Sequence, residues 1–199
     1  MKVLFASLAV VSFLGLASSA SAAPIFFTAN LSGPAESPPN ASPGTGNAVV
    51  TFDLVADTMR VQVNFTGLLG GVTASHIHCC TALPFTGTAG VATVTPTFTG
   101  FPSGVTSGVY DNTFNMLDLA SYNPAFISSA FDPTHDAAGA EQALFDAMEA
   151  GKAYLNVHST VVRGGEIRGF LQVPEPITLS LFGVGMVGAI AARRRKKRA

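Results

Sequence analysis

The stretch from Ala74 to Cys80 concentrates the residue types that could perform chemistry. It contains His76, His78, Cys79 and Cys80, which are two of the four histidines and both cysteines of the chain. Alternate side chains of a β-strand point to the same face, so the two imidazoles would project together, roughly 6–7 Å apart. Imidazoles at that spacing can share one metal ion, and either cysteine could add a thiolate.

A second stretch, residues 153–159, repeats the pattern of an apolar residue followed by histidine. As a strand it would place Asn156 and His158 on one face. If the two strands are neighbours or face each other across a sandwich, His76, His78 and His158 form a three-imidazole set of the kind that binds copper or zinc, and no other cofactor is expected. The alternative is a structural role, in which the histidines are half-buried and hydrogen-bonded to the backbone or to Asn156.

The remaining polar residues indicate no catalytic site. Glu166 and Arg168 would share a strand face and form an ion pair of little energetic weight. His135 lies in a loop before a predicted helix, where a capping or solvent-facing role is expected. The chain lacks the G-x-S-x-G pattern of a nucleophilic serine. We therefore expect a protein that is not an enzyme.

The two cysteines are adjacent, which leaves their state open. Neighbouring Cα atoms are about 3.8 Å apart across a trans peptide, less than the usual disulfide span of about 4.4–6.8 Å. Free thiols, a bridge between Cys79 and Cys80, and a bridge to another chain all remain possible from the sequence.

The body of the chain reads as short strands joined by turns. Apolar residues alternate over 25–32, 47–56 and 59–66, and the last two segments flank a tight turn at Asp57 and Thr58, which predicts a hairpin. Residues 91–98 and 109–119 are further candidate strands. Helical spacing of apolar residues predicts one clear helix over 136–150, with Asp136 as N-cap. Together these features predict an all-β fold, an antiparallel sandwich or barrel-like sheet with one inserted helix.

Charge is distributed unevenly along the chain. Lys2 and residues 193–198 supply seven of the eleven basic residues, so four remain against twelve acidic residues, a net charge of −8. Because nucleic-acid binding requires clustered basic residues on the folded surface, nucleic acid is excluded as a partner.

Both ends carry targeting signals. Lys2, an apolar run and the small residues up to Ala22 predict a cleaved signal peptide, residues 1–22, for the Sec export machinery. At the other end, residues 177–192 form an uncharged apolar span that precedes the basic tail 193–198. The basic tail would stay in the cytoplasm, which predicts a transmembrane helix with the body, residues 23–172, outside.

The motif Pro174-Glu175-Pro176, the apolar span and the basic end, together residues 173–199, closely resemble the PEP-CTERM sorting signal of Gram-negative bacteria. The resemblance implies processing near the motif by the membrane protease exosortase. It also implies a bacterium that makes extracellular polysaccharide. The product would leave the inner membrane for the cell surface or the medium.

Three stretches of the body resemble the CHRD domain, named after chordin: HIH at 76–78, AYLNVH at 153–158 and GEIRG at 165–169. The resemblance covers roughly residues 26–172 and implies a compact, mostly β extracellular domain. For bacterial members it implies no established biochemical activity. We therefore expect an exported surface or matrix protein that binds exopolysaccharide or a surface protein, with copper or zinc binding as the alternative.

Overall fold

The computed structural model describes residues 23–174, which fold around one antiparallel β-sheet. The strands are β1 (Ile25–Ser32), β2 (Thr45–Asp53), β3 (Thr58–Thr66), β4 (Val72–His78), β5 (Gly108–Asn115), β6 (Tyr154–Ser159) and β7 (Ile167–Phe170). The helices are α1 (Pro124–Ile127) and α2 (Ala137–Glu149), and short 3-10 turns lie at Gly33–Ala35 and Leu119–Ser121.

The seven strands lie in the order β4-β6-β7-β1-β2-β3-β5 and curl into a half-barrel. The predicted all-β, antiparallel class with an inserted helix is confirmed. The sandwich alternative is not found, because the described strands form a single sheet. One face of that sheet packs on α2 instead of on a second sheet.

The hairpin of β2 and β3 forms as the alternation predicted. The two strands pair over their full length, from Thr45 opposite Thr66 to Asp53 opposite Thr58 beside the turn. Val61 and Val63 are buried, whereas Arg60 on the other face bonds an exposed Asp111 of β5. The period of two therefore sends apolar side chains inward and polar ones to solvent.

Helix α2 covers the core face of the sheet. The side chain of Asp136 accepts a hydrogen bond from the backbone of Gly139, which caps the first turn as predicted. Phe145 packs edge-on against Phe27 of β1 and Phe52 of β2, with ring centroids 6.0 and 5.4 Å apart. Aromatic pairs of this geometry each contribute about 0.5–1.5 kcal/mol beyond area burial.

The long connection between β4 and β5 runs along the free edge of β4. Its backbone donates to β4 from Ala92 and Phe98, and the hydroxyls of Thr93 and Thr97 accept from β4 amides. The predicted strand at 91–98 is therefore wrong: the segment makes only isolated bridges at Val91 and Thr93. Threonine side chains replace a regular ladder, and they close an edge that would otherwise expose unpaired backbone groups.

Within residues 23–174, no helix is both long and apolar enough to cross a membrane. The predicted signal peptide (1–22) and the predicted transmembrane helix (177–192) lie outside the described residues, as do Glu175 and Pro176 of the sorting motif.

Candidate metal centre

The two histidine strands pair directly with each other. In the antiparallel register of β4 and β6, Ala74 lies opposite His158 and His76 opposite Asn156. The imidazoles of His76, His78 and His158 therefore lie on one face. The opposite face of the same strands presents Ile77 to the core.

The three imidazoles form one cluster. Ring centroids are 5.6 Å apart for His76 and His78, 5.1 Å for His76 and His158, and 6.3 Å for His78 and His158. One ring nitrogen from each histidine lies within 4.8 Å of the other two. His76 is buried, and the other two are half-buried. Strand parity predicted the first pair, and the pairing of β4 with β6 adds the third ring.

Each imidazole is held from behind by a backbone carbonyl. Nε2 of His76 bonds the carbonyl of Pro96 (2.6 Å), Nδ1 of His78 that of Ala89 (2.9 Å), and Nδ1 of His158 that of Arg163 (2.8 Å). A carbonyl oxygen only accepts, so these nitrogens carry the proton in the neutral rings. The opposite nitrogens, Nδ1 of His76 and Nε2 of His78 and His158, then hold lone pairs, and all three are buried without a partner.

Burial keeps the first two rings neutral. It lowers the pKa of His78 from 6.5 to about 4, against the opposing effect of the bond to Ala89. It also lowers the pKa of His76, again opposed by the bond to its carbonyl and reinforced by the neighbouring His158. Neutral imidazole is the form that binds metal, so protons compete for these two nitrogens at a lower pH than for a free histidine.

A stack of side chains supports the cluster on one side. The ring of Tyr154 lies parallel to that of His78, with centroids 4.7 Å apart and planes within 4°. The guanidinium carbon of Arg168 lies 4.7 Å from the centre of the Tyr154 ring. A cation over an aromatic face is attracted by the ring quadrupole, so Arg168 holds the Tyr154 ring in place. The Tyr154 ring in turn orients the imidazole of His78.

Arg168 joins three parts of the chain. Its guanidinium donates to the carbonyl oxygens of Ala35 and Gly87 and lies 3.8 Å from the carboxylate of Glu36. Burial raises the pKa of Glu36 to about 7, and Arg168 opposes that rise. The predicted surface pair of Arg168 with Glu166 is wrong, since Arg168 is buried and its acidic partner is Glu36.

Glu166 has a separate structural role. Its side chain is fully buried, and it accepts hydrogen bonds from the Ser42 hydroxyl at 2.6 Å and from the Leu69 amide at 2.5 Å. These bonds tie β7 to two loops. The loop that precedes β2 contributes the buried side chains of Glu36 and Ser42 to the interior.

The cysteines are not ligands in this structure. Cys79 and Cys80 are joined to each other by a disulfide bond, and the described chain has no free cysteine. The thiolate that the sequence offered to the metal site is thereby excluded while the bridge is intact. A disulfide is typical of an exported protein.

Sequence reasoning missed Glu36 and the three backbone carbonyls. Glu36 stands alone in a loop rich in proline and serine, and nothing in that loop indicates a buried acid. His135 lies apart from the cluster and bonds the carbonyl of Ile127. Pro174 of the sorting motif ends the described residues.

Comparison with known families identifies both parts of the chain. The CHRD domain model matches residues 27–171, which is most of the chain. The chain belongs to the CHRD domain family. A PEP-CTERM protein-sorting motif follows the CHRD domain at residues 172–196. No curated protein and no solved structure matches the chain.

Proposed function

We propose that this is an exported surface protein whose CHRD domain binds a copper or zinc ion through His76, His78 and His158. The observation that carries the proposal is the set of three buried ring nitrogens that lie together without a hydrogen-bond donor. The proposal assigns a binding role and no catalytic one.

The energetic argument concerns unpaired acceptors. A buried polar atom without a partner costs about 1–3 kcal/mol, and here three lone pairs occupy one small region. A metal ion would satisfy all three at once. The carbonyls of Pro96, Ala89 and Arg163 already hold the rings in the required tautomers. Ligating histidines commonly have such a partner on the second nitrogen, because it fixes the ring and raises its basicity.

The location rests on the PEP-CTERM motif, which marks substrates of exosortase. Export and processing at the inner membrane are consistent with the bridge between Cys79 and Cys80, since disulfides persist outside the reducing cytosol. After processing, the CHRD domain would be displayed at the cell surface or released. A metal site at that location would be exposed to metal ions of the extracellular medium.

A second candidate function is binding of a polymer or a surface protein. On the face of the sheet opposite the core, Asn47, Gln62, Asn64 and Asp111 line an open cavity of about 460 Å³. Amides and a carboxylate in a concave surface can form hydrogen bonds with sugar hydroxyls. Val49, Val63, Val109 and Tyr110 complete the lining, so the cavity offers a polymer both hydrogen-bonding groups and apolar contacts.

Thermal melting of the full exported chain tests the metal proposal. With Zn²⁺ or Cu²⁺ at about 100 times the dissociation constant, binding stabilises the folded state by about 2.7 kcal/mol. We expect a higher melting temperature than in chelator, and His78→Ala should abolish the difference. The matched control, His135→Ala, should keep it. Equal melting temperatures with metal and chelator would contradict the proposal, and elemental analysis of the purified protein provides an independent measurement.

A further inference from the structure

Asn156 is a fourth buried acceptor beside the three imidazoles. It lies opposite His76 in the pairing of β4 with β6, and only 2% of its surface is exposed. Its side chain adjoins the rings of both His76 and His78. Its Oδ1 has no hydrogen-bond partner.

The surroundings of the amide indicate which end faces the rings. A Cβ atom placed on Gly165 would lie 3.0 Å from Nδ2 of Asn156 and 2.5 Å from Oε1 of Glu36. The amide nitrogen and the carboxylate therefore border the same space above Gly165. Nδ2 of Asn156 borders the Glu36 carboxylate without bonding its Oε1. The amide oxygen lies at the other end of the same group, on the side of the histidines.

We infer that the side-chain oxygen of Asn156 is the fourth ligand of the metal bound by His76, His78 and His158. The inference rests on the proposed metal-binding function. It gives a donor set of three imidazole nitrogens and one amide oxygen, all uncharged. The three histidine nitrogens lie within 4.8 Å of one another, and the Asn156 side chain adjoins two of the rings. All four atoms are acceptors without a partner, and one cation would satisfy them together.

This donor set limits which metal ions the site is suited to bind. Imidazole binds both copper states and zinc, whereas thiolates and thioethers favour Cu⁺. Both cysteines of the chain are held in the disulfide, and the fourth donor is a hard oxygen. The site is therefore suited to a divalent ion, Zn²⁺ or Cu²⁺, and disfavours Cu⁺.

The fourth ligand also determines what the site does. Zinc sites with four protein ligands are structural, whereas catalytic sites keep one position open for water or substrate. With Asn156 bound, the three histidines leave no open tetrahedral position. The CHRD domain would hold its ion rather than activate a water molecule.

Substitutions at Asn156 test the inference in the full chain, with Zn²⁺ affinity measured by competition with a chelator and the ligand field by Co²⁺ absorption. We expect Asn156→Leu to weaken Zn²⁺ binding about 10-fold or more, in the range seen when groups supporting a metal site are lost, and to alter the Co²⁺ spectrum. Asn156→Asp keeps an oxygen and adds a charge, so it should bind Zn²⁺ more tightly and also shift the spectrum. Asn30→Leu, an exposed change on the same sheet face, should do neither.

The outcomes separate this inference from the function on which it rests. If Asn156→Leu and Asn156→Asp both leave the affinity and the Co²⁺ spectrum as in the wild type, Asn156 is not a ligand and the three-histidine site stands. If the wild type binds neither Zn²⁺ nor Co²⁺, both proposals are overturned. If circular dichroism shows that Asn156→Leu does not fold, the Co²⁺ absorption spectrum of Asn156→Asp tests whether Asn156 is a ligand.

Discussion

The ring of His158 packs edge-on against the ring of His76, with centroids 5.1 Å apart and planes at 71°. The two residues belong to strands separated by the long connection, β5 and both helices. Their contact exists because β4 and β6 pair at the edge of the sheet. It converts the local pair His76 and His78 into a three-nitrogen cluster.

The stability of the metal-free protein should depend on pH through His78. Its pKa is about 4 in the folded state and 6.5 when unperturbed. Below pH 6.5 the unfolded chain takes up the proton first, so stability is present above that pH and is lost as the pH falls toward 4. The difference between the two pKa values corresponds to at most about 3 kcal/mol of folding free energy.

Chemical denaturation in chelator, at several pH values between 7 and 4, measures this dependence. The groups that face His78 are His76, His158, Tyr154 and Asn156. His78→Gln should flatten the dependence in that interval, and His135→Ala should leave it unchanged. An equally steep loss of stability in His78→Gln would show that its ring is not the titrating group.

Gly165→Ala should destabilise the CHRD domain. The backbone there has φ of +129°, and a Cβ atom would approach Glu36 to 2.5 Å. Backbone strain of this kind costs about 1–3 kcal/mol. Gly164→Ala is the matched control, because its Cβ would meet nothing within 4 Å. In urea denaturation, Gly165→Ala should unfold at a lower midpoint concentration than Gly164→Ala. Equal midpoints would contradict the crowding above Gly165.

Arg168→Met should cost far more stability than Arg60→Met. Arg168 is buried with Glu36, and removing one partner of a buried pair costs about 3–5 kcal/mol. Arg60 pairs with Asp111 at the surface, with both side chains about half exposed, and such pairs contribute about 0–1 kcal/mol. Comparison of the two free energies of unfolding checks the prediction. Similar values would mean that Arg168 does not anchor the loops at Ala35 and Gly87.

Replacing Pro174, Glu175 and Pro176 by alanine should block processing. In a host with exosortase, the full-length form should then accumulate in the inner membrane. Mass spectrometry of the fractionated cells measures this, and Val173→Ala, just before the motif, serves as the control. Unchanged cleavage of the alanine variant would reject the motif as the processing signal and leave a simple membrane anchor.

Local patterns in the sequence determined several elements of the fold and the shared face of one pair of site residues. Alternating apolar residues predicted β1 and the hairpin of β2 and β3, and helical spacing with the Asp136 cap predicted α2. Strand parity placed His76 and His78 on one face. These features follow from neighbouring residues, because the periods of strands and helices and the capping of helix ends are local.

Only the tertiary structure decided how the site is completed. The pairing of β4 with β6 selects His158 and Asn156 as neighbours of His76, and strand pairing is a non-local choice that alternation does not specify. The carbonyls of Pro96 and Ala89 carry no side-chain signal, since every residue has a backbone acceptor. Glu36 is buried 3.8 Å from Arg168, which belongs to a strand far away in the sequence. The candidate metal site therefore depends on contacts between segments that lie far apart in the sequence.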